Sequence, residues 1–118
     1  MTTIYTAISF FFLAAMMGIY LLSLVLKGKS LPKALALFHG VFATTGLILL
    51  IFYIYHHGAD LVLSLVLFVL AAIGGIILFS RDITGKLIPK WLAITHGTIA
   101  AIGFILLFIY ALRQFPIA

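Results

Sequence analysis

The sequence predicts an all-α fold, a bundle of four transmembrane helices built from two parallel helical hairpins. Three observations carry this. The 118 residues are 66% hydrophobic and only 8% charged, with a mean hydropathy of +1.40, which is too apolar for a soluble domain of this size. Apolar runs fall at residues 4–26, 34–55, 61–80 and 91–112, each near the ~20 residues that cross a hydrocarbon core of about 30 Å. Residues 11–53 align without a gap on residues 68–110, with about half the positions identical, the mark of an internal repeat. Barrel-strand alternation is absent, and backbone groups in lipid must be satisfied within helices or closed barrels. The chain therefore reads as one membrane domain, 1–118, with repeat 1 over 4–55 and repeat 2 over 61–112.

The first helix follows a polar lead, Met1 to Thr3, with no basic n-region and no small-residue cleavage pattern, so no cleaved signal peptide is expected. It carries Phe11, Ala14, Ala15 and Gly18, and the third helix carries Phe68, Ala71, Ala72 and Gly75 at the same spacing. Alanine and glycine four residues apart let helix backbones approach closely in lipid, where packing drives association. These are expected to be packing faces.

Gly28 and Gly85 are expected to end helices, and Pro32 and Pro89 to start them. The connections at 27–33 and 80–90 hold six of the seven Lys and Arg residues. By the positive-inside rule both loops face the cytoplasm, as in a bacterial inner membrane. Both termini and the connection from His56 to Asp60 then lie outside. Each repeat enters from the same side, so a pseudo-two-fold axis along the membrane normal relates them.

The second and fourth helices carry the polar residues that matter. Steps of four, three, four and three residues along one face give His39, Ala43, Gly46, Leu50 and Tyr53, and again His96, Ala100, Gly103, Leu107 and Tyr110. His39 follows Lys33 by six residues and His96 follows Lys90 by six, which puts both imidazoles roughly 9 Å inside the cytoplasmic boundary. Polar groups at that depth are expensive and usually face the bundle interior or a functional site. With these two helices diagonal in the bundle, the histidines are expected to face each other.

Two facing imidazoles suit the axial positions of a b-type haem. Gly40, Ala43, Gly46, Gly97, Ala100 and Gly103 remove bulk beside such a macrocycle, and Lys33 and Lys90, with Lys29 and Lys86, offer cations to its propionates. Thr44, Thr95 and Thr98 are candidates to hydrogen-bond the imidazoles or the backbone. Without cysteine there is no thioether attachment signal, so the haem b would be held non-covalently. His39-Gly40 and His96-Gly97 on facing transmembrane helices resemble the arrangement in small membrane-bound b-type cytochromes, including the four-helix cytochrome b561-like proteins. The resemblance implies electron transfer, commonly with quinols, and a redox partner. Many of those cytochromes hold two haems through four core histidines, whereas only two lie deep here.

Other readings of the same residues stand beside this one. Membrane histidines also serve as interhelical hydrogen-bond partners, worth roughly 0.6 kcal/mol each. Tetrahedral zinc wants three or four protein ligands, and no Cys, Asp or Glu is placed near this depth; copper on two imidazoles is a further alternative. His56 and His57 have no counterpart in repeat 2, where Arg113 and Gln114 stand. They read as solvated loop residues or as a second metal or haem site near the outer face, with Asp60 as a neighbour. A small four-helix transporter is another class; proton-coupled export of that kind uses a membrane-embedded carboxylate, and with Asp60 and Asp82 in loops and no Glu it would need histidine-based coupling. An accessory subunit, packed as a homo-oligomer or within a larger membrane complex, is the third class. The net charge of +5 is loop lysine beside anionic lipid, with no nucleic-acid signal. No arrangement for side-chain catalysis is present.

Overall fold

The computed structural model describes residues 2–115, which form four long helices and one short turn of 3₁₀ helix. Helix α1 spans Thr2–Leu26, α2 Lys33–His57, α3 Val62–Ile83 and α4 Lys90–Gln114; the 3₁₀ turn is Ala59–Leu61. All four are long and apolar enough to cross a membrane. The molecule measures 50 × 24 × 23 Å, so its long axis exceeds the 40–45 Å of a typical bilayer with its headgroups.

The helix ends follow from local chemistry. At Gly28 and Gly85 the backbone turns left-handed, with φ of 69° and 71°, a conformation open to glycine because it has no Cβ. At the end of α1 the Gly28 and Lys29 N–H groups then reach back to the Val25 and Leu24 carbonyls, at 3.1 and 2.9 Å. The end of α3 repeats the pattern, with Gly85 on Asp82 at 3.2 Å and Lys86 on Arg81 at 2.9 Å. This double hydrogen bond is the Schellman cap, which satisfies carbonyls that the helix leaves open. Pro32 and Pro89 then precede α2 and α4 in extended conformation, and their carbonyls accept the first helical bonds, from Ala36 and Ala93.

The helices run around the bundle in chain order. Helix α1 packs on α2 and α3 on α4, while α1–α4 and α2–α3 close the ring, leaving α1 diagonal to α3 and α2 diagonal to α4. On the axis between the diagonals lies an apolar core of Ile4, Phe11, Leu50, Tyr53, Leu61, Phe68 and Leu107. Most of the remaining large side chains are exposed on the outer faces.

One ion pair ties the lysine-rich end together. Lys33 at the start of α2 meets Asp82 near the end of α3, Nζ to Oδ1 2.7 Å. This bond joins the two halves of the chain.

Candidate functional site

The central feature is a pair of imidazoles, each docked on a small-residue turn of the neighbouring helix. His39 on α2 lies over α1, where its Nδ1 is 2.7 Å from the Ala14 carbonyl oxygen. His96 on α4 lies over α3, where its Nδ1 is 2.7 Å from the Ala71 carbonyl oxygen. A carbonyl oxygen accepts only, so each Nδ1–H donates. The neutral ring therefore carries its proton on Nδ1 and presents a lone pair at Nε2. Among the described residues neither Nε2 has a protein partner.

Glycine makes this approach possible. A Cβ at Gly18 would stand 2.9 Å from His39 Cε1, and one at Gly75 would stand 3.1 Å from His96 Cε1. Ala14 and Gly18, like Ala71 and Gly75, are one helical turn apart, so each ring covers the turn whose carbonyl it bonds. The alanine–glycine pairs expected to bring backbones together thus serve as seats for imidazoles.

The two rings face across the α2–α4 diagonal with centroids 6.2 Å apart and planes at 80°. Tautomer and carbonyl partner are those of a histidine whose other nitrogen is open to a ligand, since a ligating imidazole ordinarily has its second nitrogen held by a backbone carbonyl or carboxylate.

One turn deeper the axis is filled. Phe11 and Phe68 stack with centroids 4.0 Å apart and planes within 2° of parallel. Phe11 lies against Gly46, where an added Cβ would be 3.1 Å from the ring, and Phe68 lies against Gly103, where it would be 3.5 Å away. Phenyl rings thus occupy the space beside Gly46 and Gly103, as close packing of an apolar interior requires. Below them Leu50 and Leu107 are fully buried, and the Tyr53 and Tyr110 hydroxyls meet at 3.0 Å.

The other expected residues divide. Ala43 and Ala100 are half-buried. Gly40 is exposed with open space around it, and Gly97 meets only Leu22, at 3.9 Å; both lie off the shared face, because the residue after an inward-facing one is turned by about 100°. Lys33 is engaged by Asp82, while Lys90 at the start of α4 is exposed. The threonines do not reach the imidazoles: Thr95 and Thr98 bond the Trp91 and Ile94 carbonyls of their own helix, and Thr44 is exposed.

His56 and His57 end α2 and lie within the helix, where a loop was expected. Their Nδ1–H groups donate to the Phe52 and Tyr53 carbonyls one turn back, at 3.0 and 3.1 Å, and His57 stacks on Tyr53 at 4.1 Å. Among the described residues no group of three or more His, Cys, Asp or Glu is placed to hold a metal ion.

Sequence reasoning missed Ala14, Gly18, Ala71 and Gly75 as parts of the site. The signal was available: Gly18 precedes His39 by the same interval as Gly75 precedes His96. Comparison with protein-family models, curated proteins and solved structures finds no match for this chain.

Proposed function

We propose that the chain is an integral membrane protein that binds one b-type haem through His39 and His96 and works in electron transfer or in haem handling or sensing. One observation carries the reading: two diagonal imidazoles, both with Nδ1–H committed to a carbonyl, have Nε2 without a protein partner and centroids 6.2 Å apart. In this reading the four helices span a bacterial inner membrane, with the lysine loops cytoplasmic and both termini outside.

A haem held by His39 and His96 would supply a one-electron iron couple. The residues of this chain have separate tasks. Ala14 and Ala71 fix the tautomer and orientation of the two rings. Gly18 and Gly75 allow the rings to sit at that depth. Phe11 with Phe68 closes the apolar side of the site, which favours a ligand entering at the histidine level or towards the lysine end. There Lys29, Lys86 and Lys90 provide cations for carboxylates.

The test is the visible spectrum of detergent-purified protein, oxidised and then reduced with dithionite, with haem quantified per chain. A sharp Soret band with split reduced α and β bands is expected, lost in both His39→Ala and His96→Ala. An unchanged spectrum in both variants would sink the assignment. The same Nδ1 bonds favour a second reading, in which the histidines only clip each hairpin together. A colourless protein that also fails to bind added hemin decides for that one.

A further inference from the structure

A cleft of about 460 Å³ opens between α3 and α4 at the end of the bundle opposite the lysine loops. Its charged and polar lining comes from Asp60, Ser64, Tyr110, Arg113 and Gln114, and its apolar lining includes Leu63 and Leu106. Leu106 and Arg113 are separated by seven residues of one helix, about 10 Å of rise, so the wall grades from apolar to charged along α4. That gradient matches an amphiphile lying at a water–hydrocarbon boundary.

The charges in it are unusual for this chain. Asp60 is one of only two acids, and the other, Asp82, is already paired with Lys33. Among the described residues Asp60 and Arg113 make no ion pair with each other or with a third group, yet both line the same cleft. A ligand with a cation at one end and an anion at the other would satisfy both.

Nor is the cleft a by-product of the repeat. The positions equivalent to Asp60, Ser64, Arg113 and Gln114 are Thr3, Ala7, His56 and His57. In repeat 1 that region carries no acid, and His57 closes onto Tyr53 in a ring stack. In repeat 2 Ser64, 1% exposed, turns its hydroxyl to the Gly103 carbonyl at 2.7 Å.

We infer that this cleft binds the headgroup of an ethanolamine phospholipid, with the ammonium on Asp60, the phosphate on Arg113 and the first part of an acyl chain along Leu63 and Leu106. A guanidinium forks onto phosphate oxygens. A carboxylate gains charge-assisted hydrogen bonds from a primary ammonium, whose N–H donors a trimethylated choline lacks. Discrimination between these two headgroups is the signature of Asp60. The inference is independent of whether the histidines hold haem.

The experiment reconstitutes the full chain in vesicles of equal parts phosphatidylethanolamine, phosphatidylcholine and phosphatidylglycerol, extracts it mildly, and counts the lipids retained per chain by mass spectrometry. The ethanolamine lipid should exceed the choline lipid about tenfold, the equivalent of one charge-assisted hydrogen bond. Asp60→Asn should erase that preference, and Arg113→Gln should lower retention of both lipids, while Arg113→Lys keeps most of it. Asp82→Asn, a charge loss at the opposite end, should leave retention unchanged. Equal retention of all three lipids, or a preference that survives Asp60→Asn, overturns the proposal. Displacement of the lipid by equimolar soluble glycerophosphoethanolamine overturns the lipid source in favour of a free zwitterion.

Discussion

The imidazoles of His39 and His96 sit where a single atom on the opposing helix decides whether they fit. Gly18→Ala would put a methyl 2.9 Å from His39 Cε1, closer than real contacts allow, and the ring cannot retreat without losing the Ala14 carbonyl. Overpacking of this kind costs about 1–3 kcal/mol. The expected result is a lower unfolding temperature in detergent, together with a shifted or lost haem spectrum. Gly40→Ala is the contrasting case, since nothing lies within 4 Å of the added carbon. An added methyl there reduces backbone freedom in the unfolded chain and is expected to stabilise by about 0.5–1 kcal/mol. Equal effects from the two substitutions would contradict the docking geometry. Tyr53→Phe removes the hydroxyl contact with Tyr110 and is expected to cost about 0.6 kcal/mol, typical of interhelical hydrogen bonds in bilayers.

Helix ends in this chain depend on two glycines with φ near 70°. Space is not the issue at either, because no atom lies within 4 Å of an added Cβ at Gly28 or Gly85. The cost of substitution is therefore purely conformational, about 1–2 kcal/mol for a residue with a Cβ in that region. Gly28→Ala and Gly85→Ala should lower stability by similar amounts, measured by denaturant titration in detergent. A neutral result at either would mean that the cap is not closed there. Both glycines and both prolines were legible in the sequence, because a helix end in a short polar loop depends on the nearest few residues. Helix boundaries were legible to within a few residues for the same reason. The extension of α2 over His56 and His57 was not, since two histidines before a glycine read equally well as loop.

For the whole molecule, thiol labelling reads the orientation of the helices. The chain has no cysteine, so single cysteines at Lys29, Lys86, Asp60 and Gln114 report topology cleanly. In oriented membrane vesicles Lys29→Cys and Lys86→Cys should react with an impermeant thiol reagent from one side, and Asp60→Cys and Gln114→Cys from the other. Labelling of Lys29→Cys and Asp60→Cys from the same side would overturn the four-span topology. The Lys33–Asp82 pair has one partner 56% exposed, so solvent screens it to roughly 0–1 kcal/mol.

By itself the sequence determined the helix count, the helix ends and the facing of His39 with His96, because each depends on hydrophobic periodicity, on local turn chemistry or on the spacing of matched residues. What lies opposite each face was decided only by the tertiary structure. Gly46 could have cleared space for a flat ligand, yet it receives Phe11. Ala14 and Gly18 could have met another backbone, yet they seat His39. Asp60 and Arg113 are far apart in the chain and share one cleft. Helical spacing says which residues look inward together, whereas rotation of each helix about its axis and the reach of the opposing side chains say what they touch, and those are properties of the packed bundle.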